Sequence, residues 1–222
     1  MKSLFRITIA GLTLATTFSL AHAQTVTFAN FQQIGLTKPF EFINSGVSSN
    51  FTTTTLPVNF QFLIPNGSGS MNTNIPANLT ITSVQSATAT TDGFSITQRL
   101  QSVQMTFVGT GAITGNLLTV INSTGSLGGA VGALTGTLAE TDNGAQQIVT
   151  YSSAYLDFSA TTQRNYSITV DPMDTPLGIT ASYLTGFRAD ATGQFAANIM
   201  IPEPSTLLLL GIGALGMLIR RR

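Results

Sequence analysis

From Leu56 to Ile64 the chain reads LPVNFQFLI, and its apolar and polar positions alternate: Val58, Phe60, Phe62 and Ile64 fall on one side, Asn59 and Gln61 on the other. A period of two marks a strand with one face buried and one wet, and Pro57 is tolerated near such a strand's start. The alternation recurs at Val26 and Phe28, Phe40 and Phe42, Leu79 and Ile81, and Phe94 and Ile96. It recurs again at Val103, Met105 and Phe107, at Leu118 and Val120, and at Tyr166, Ile168 and Val170. These runs are rich in β-branched and aromatic residues, so each predicts a strand, about ten in all.

Between the runs stand turn signals: PNGSG at Pro65 to Gly69, TDG at Thr91 to Gly93, TDNG at Thr141 to Gly144 and DPMDTPLG at Asp171 to Gly178. Asn-Gly and Asp-Gly supply the positive φ angles that tight hairpins need. Short strands at this spacing predict an all-β fold, an antiparallel β-sandwich of jelly-roll or Ig-like type. Two stretches fit less well. Ser123 to Glu140 is mostly Gly, Ala, Ser and Thr, which predicts a long flexible loop or edge strands with little packing. TTTT at Thr52 to Thr55 suits either strand or linker, and no solenoid repeat is present.

The two ends differ from this pattern. Residues 1–23 carry a basic start (Lys2, Arg6), an apolar run from Ile7 to Leu20 and the small-x-small site Ala21-His22-Ala23 before Gln24. That is the secretory signal pattern, with cleavage expected after Ala23 by signal peptidase on the Sec export route. At the other end, Leu207, Leu208, Leu209 and Leu210 begin an apolar run. It continues through Gly211, Ile212, Gly213, Ala214 and Leu215 to Gly216, Met217, Leu218 and Ile219, and three basic residues close it, Arg220, Arg221 and Arg222. The run predicts a single hydrophobic helix of about 20 Å, against about 30 Å for a bilayer core, so it is a short membrane helix with a cationic stop. The reading divides the chain into a signal peptide (1–23), one exported β domain (24–200) and a tail (201–222).

Charge is balanced over the 222 residues, but five of the nine basic residues lie in the two ends. The body keeps Lys38, Arg99, Arg164 and Arg188 against eight carboxylates, a mildly acidic balance that argues against nucleic acid as a partner. There is no cysteine, and the lone histidine, His22, falls in the signal peptide. Triads built on His or Cys, and imidazole or thiolate metal sites, are therefore excluded from the mature body. Lys38 is the one lysine left for nucleophile chemistry.

Carboxylate pairs remain, Asp171 with Asp174 and Glu140 with Asp142, and two acids at fixed separation are what glycoside hydrolysis needs. Asp171 and Asp174 are also the weak calcium candidates, although no EF-hand-type loop is present. Both pairs read first as turn residues bonding their own backbone, so no catalytic residue, cofactor or metal is expected. Tyr151, Tyr155, Tyr166 and Tyr183 read as strand packing before sugar stacking. Sequons at Asn50, Asn66, Asn78, Asn122 and Asn165 are expected by chance in so Ser- and Thr-rich a chain. Gly211-Ile-Gly213-Ala-Leu-Gly216 spells G-x-G-x-x-G but follows no strand and precedes no acid, so it reads as part of the apolar helix.

Immediately before that helix stand Pro202, Glu203 and Pro204, which interrupt any helix upstream, followed by Ser205 and Thr206. Motif, short span and Arg cluster, in that order at the terminus, closely resemble the PEP-CTERM sorting domain of Gram-negative bacteria. The resemblance covers the last 22 residues. It implies export, transient anchoring in the inner membrane, recognition by an exosortase, and delivery to the cell surface or extracellular matrix. It further implies association with exopolysaccharide and biofilm. The expectation is a non-enzymatic exported protein with a structural or adhesive role. Its alternatives are a carboxylate-based glycan-active enzyme and a self-assembling surface fibre subunit. An ice-binding Thr array is disfavoured by the missing repeat.

Overall fold

The computed structural model describes residues 25–64, 72–83, 86–142 and 148–198. The signal segment, the turn at 65–69, Asn143 with Gly144, and the whole sorting tail with its expected helix lie outside the described residues. Within them the period-two runs become strands: β1 (Val26–Gln33), β2 (Phe40–Asn44), β3 (Ser49–Phe62), β4 (Ile75–Ser83), β5 (Ser86–Thr91), β6 (Ser95–Leu100), β7 (Val103–Thr110), β8 (Thr114–Asn122), β9 (Gly125–Ala130), β10 (Gly136–Asp142), β11 (Val149–Ser152), β12 (Arg164–Met173), β13 (Ile179–Thr180), β14 (Tyr183–Leu184) and β15 (Phe187–Ala197). The described residues contain no helix, and the all-β expectation holds for them.

All these strands but β13 and β14 belong to one antiparallel ladder in the order β11-β8-β7-β4-β3-β1-β15-β12-β10-β9-β6-β5. β2 shares the lane of β1: it pairs β3 through Glu41 to Asn44 and β15 through Phe40 to Phe42, while β1 pairs later parts of the same two strands. The two separate ladders of a sandwich are thus replaced by one continuous sheet that folds over on itself. Aromatic contacts prove the folding. Phe107 on β7 and Phe195 on β15 have three strands between them, which on a flat sheet means about 19 Å at about 4.8 Å per strand, yet their rings lie 5.4 Å apart. Phe107 also meets Phe31 at 5.2 Å and Phe60 at 5.1 Å, so it sits at the centre of the core. Each such ring contributes about 1.5–3 kcal/mol through burial.

Polar clasps join the same faces. Gln98 on β6 is fully buried, and its Nε2 donates to Ser49 Oγ (2.8 Å) and to the Ala87 carbonyl (2.7 Å), while its Oε1 accepts from Leu184 N–H (2.6 Å). Asn122 on β8 donates to the Tyr166 hydroxyl on β12 at 2.6 Å. At the end of β15, Asn198 Oδ1 accepts from the N–H groups of Thr162 and Gln163, both at 2.9 Å, and its Nδ2 donates to Thr162 Oγ1. A buried carboxamide must satisfy both ends, which makes each clasp specific to its partners.

Three expectations change. Ser123 to Glu140 forms β9 and β10, which lie inside the ladder, with Leu127 and Leu138 fully buried. Its glycines answer close packing and not flexibility: a β-carbon at Gly128 would lie 2.3 Å from the Ile96 carbonyl oxygen. Phe94, expected inward beside Ile96, is 85 % exposed, because Asp92 Oδ1 accepts from Phe94 and Ser95 N–H and holds it in the hairpin turn. Phe28 is inward as expected but so is its neighbour Ala29, since a register shift between Thr27 and Ala29 breaks the alternation. TTTT resolves as strand, within β3.

Two substitutions test this packing. A β-carbon at Gly193 would lie 2.4 Å from the Phe31 ring, so Gly193→Ala should lower unfolding free energy by about 1–3 kcal/mol in urea titration. An unchanged midpoint would mean that Phe31 is seated elsewhere. Gln98→Leu strands the Leu184 N–H and should cost about 1–3 kcal/mol by the same measurement.

Candidate functional site

Alternation and register together place a polar grid on the outer face of β3, β1, β15 and β12. Asn30 is paired with Gln61 on one side and Gln194 on the other, and Gln194 with Ser167. Two residues along, Gln32 is paired with Asn59 and Thr192, and Thr192 with Thr169. The result is two parallel rows, Gln61-Asn30-Gln194-Ser167 and Asn59-Gln32-Thr192-Thr169, each crossing four strands. Between them on the inner face runs Phe60-Phe31-Gly193-Ile168, all buried. The surface above is concave, a groove of about 430 Å³ that also takes in Asn74 beside Gln61. Every side chain of the two rows is an uncharged amide or hydroxyl, able to donate and to accept. The grid is regular because the register shifts of β1 (Thr27/Ala29) and β12 (Val170/Met173) fall outside it.

The groove continues past Gln32, Thr169 and Thr192 into a second hollow of about 190 Å³, where Asp171 and Asp190 join the lining. Asp190 is buried, and its Oδ1 accepts from Gln33 Nε2 (2.7 Å) and from Lys38 N–H (2.8 Å). Gln33 Oε1 in turn accepts from Ala191 N–H at 3.1 Å. These bonds pin the loop between β1 and β2 against β15. Asp171 is exposed at the hollow's rim. One end of the groove is therefore acidic and the rest is neutral.

The sequence-derived candidates fall apart in space or into structural roles. Asp174 Oδ1 accepts from Arg188 N–H at 2.7 Å, and this backbone bond holds its carboxyl below the ordinary aspartate range. Asp171 lines the hollow and Asp174 the turn beyond it; among the described residues no group of three or more acidic, His or Cys side chains is placed to hold a metal ion. Glu140 pairs with Arg99 at 3.3 Å, while Asp142 is the buried last residue of β10. Lys38 contributes its backbone N–H, to Asp190. All four tyrosine hydroxyls are engaged: Tyr151 donates to the Asn165 carbonyl, Tyr155 to that of Thr114, Tyr183 to that of Val47 at 3.1 Å, and Tyr166 accepts from Asn122. Burial pushes the Tyr151 and Tyr166 hydroxyls above the ordinary phenol range, as expected of core residues. No tyrosine face is left for sugar stacking by those two. The sequon residue Asn122 is fully buried.

Sequence reading placed Asn59 and Gln61 outward but missed the grid, because the partners Gln32, Thr192 and Thr169 lie on strands far away in the chain. The signal peptide site (Ala21, Ala23, Gln24) and the tail residues lie outside the described residues, and among those described no helix is long and apolar enough to cross a membrane.

Neither curated proteins nor solved structures include a match to this chain. Residues 201–222 match the PEP-CTERM protein-sorting motif, a span that includes Pro202, Glu203, Pro204, the apolar run and the Arg cluster. The chain thus ends in a PEP-CTERM tail, which implies an exported protein, processed by an exosortase and sorted to the cell surface.

Proposed function

We propose that this protein is a non-enzymatic surface or matrix component that acts by adhesion after exosortase cleavage of its tail. The observation that carries the reading is the PEP-CTERM match at residues 201–222. The body supports it in three ways. Its outer face carries a neutral, hydroxyl- and amide-lined groove suited to hydrated polymers. Among the paired carboxylates, Asp174 is held low by its bond from the Arg188 N–H, which keeps it ionised and unfit as a general acid. The sheet edges β5 and β11 are short, and β5 is occupied in part by the Ala89 N–H bond to Ser182, which counts against growth of a fibre through strand pairing.

In this reading the exported domain is left by removal of residues 1–23, and the apolar run from Leu207 to Ile219 is a temporary handle. Its shortness fits a segment held in the membrane only until cut. Exopolysaccharide is the partner that the role requires, with no cofactor.

Intact-mass measurement of the native protein from its host, with and without the exosortase, tests the sorting step. The expected protein ends before Leu207 when the exosortase is present and at Arg222 when it is absent. A native C-terminus at Arg222 in both strains would overturn the reading.

A further inference from the structure

We infer that the groove across β3, β1, β15 and β12 is a binding cleft for an extended polysaccharide that carries amino-sugar units, with the amine received at its Asp171 and Asp190 end. The inference deepens the adhesive reading and rests on it for the availability of such a polymer. Three observations carry it. The first is chemical uniformity: across two rows on four adjacent strands, the outward side chains are Asn, Gln, Ser and Thr without a charge among them. A carboxamide offers a donor and an acceptor side by side, and vicinal sugar hydroxyls present the matching pair. The second is spacing. Side chains of one row repeat at about 4.8 Å from strand to strand, close to the width of one pyranose ring, so a chain laid along Asn59-Gln32-Thr192-Thr169 meets a new amide or hydroxyl at each unit and has Asp171, two residues on from Thr169, beside its β12 end. The third is polarity along the groove. The neutral grid is continuous with a hollow lined by Asp171 and Asp190, sharing Gln32, Thr169 and Thr192.

That acidic end discriminates. A uronate brought there meets like charge, whereas a protonated sugar amine meets a carboxylate at the rim and gains a charge-assisted bond. Of the nearby cations, Arg188 is paired with Glu41 at 3.1 Å, and Lys38, whose backbone N–H bonds Asp190, acts electrostatically on Asp174; among the described residues neither recorded ion pair involves the rim carboxylate of Asp171. Phe31, the aromatic residue in the groove's lining, has its ring buried in the core and offers no platform, so affinity per site rests on hydrogen bonds and is modest; many copies along one polymer would supply the rest through multivalency.

Binding of the full-length chain in detergent to three immobilised oligosaccharides tests this: chitosan oligosaccharide, cello-oligosaccharide and oligoguluronate. Chitosan oligosaccharide should bind most tightly and lose affinity with added salt, cello-oligosaccharide more weakly and without that salt dependence, and oligoguluronate least. Asp171→Asn should bring the chitosan affinity down to the cello-oligosaccharide level. The double variant Gln32→Ala with Asn59→Ala should weaken both by about tenfold, the loss of one or two hydrogen bonds, at an unchanged unfolding midpoint. Equal or tighter binding of oligoguluronate, no binding of any probe, or affinities untouched by the outward-facing variants would overturn the inference. If binding fails while the native C-terminus still ends before Leu207, the groove assignment falls and the sorting assignment stands.

Discussion

The fold depends on a single interrupted lane. β1 and β2 together are hydrogen-bonded to β3 on one side and to β15 on the other, and this lane joins the two halves of the ladder that face each other across the core. Without the lane the sheet would be two unconnected ladders; with it, Phe31 can reach Phe107 across the core while Asn30 and Gln32 stand outward. The break between β1 and β2 is closed by Asp190, which binds Gln33 and the Lys38 N–H from β15. The carboxylate that steadies the seam also forms the acidic end of the groove. Core and candidate site are thus two faces of one set of strand pairings.

Much of this was legible in local pattern. LPVNFQF became the second half of β3 with Val58, Phe60 and Phe62 buried and Ile64 buried just past its end, and VQMTF began β7 with its three apolar residues fully buried. Alternation is a local property, so it survives in the sequence. What failed was local pattern under a tertiary override. The glycines of Ser123 to Glu140 look flexible in isolation, but at Gly128 the space of a side chain is taken by the Ile96 carbonyl, as at Gly193 on β15 it is taken by Phe31. Phe94 looked like a core residue until the Asp92 turn took it out of the strand. The groove was not legible at all. Its residues come from strands at opposite ends of the body, and only register brings Gln32, Thr192 and Thr169 into a row.

The two kinds of information in the chain are physically separate. The tail declares its role in a contiguous motif, which is why residues 201–222 were readable and matched a known sorting signal. The body holds its functional chemistry in juxtaposition, and no short motif records it. Asn198 marks the boundary between them: its side chain binds Thr162 and Gln163, so the folded body is clamped up to four residues before Pro202. Whatever enzyme reads the motif must do so within about 14 Å of chain from a folded surface, at about 3.5 Å per extended residue.

The central claim is that the β1/β2 lane is the mechanical keystone of the sheet, and amide hydrogen exchange on the native protein tests it most directly. The account predicts that amides of β1 paired with β3 and β15, such as those of Asn30 and Phe31, exchange among the slowest and only with global unfolding, while the edge strands β5 and β11 exchange first. Exchange of β1 at the rate of those edges, with β3 and β15 still protected, would contradict it.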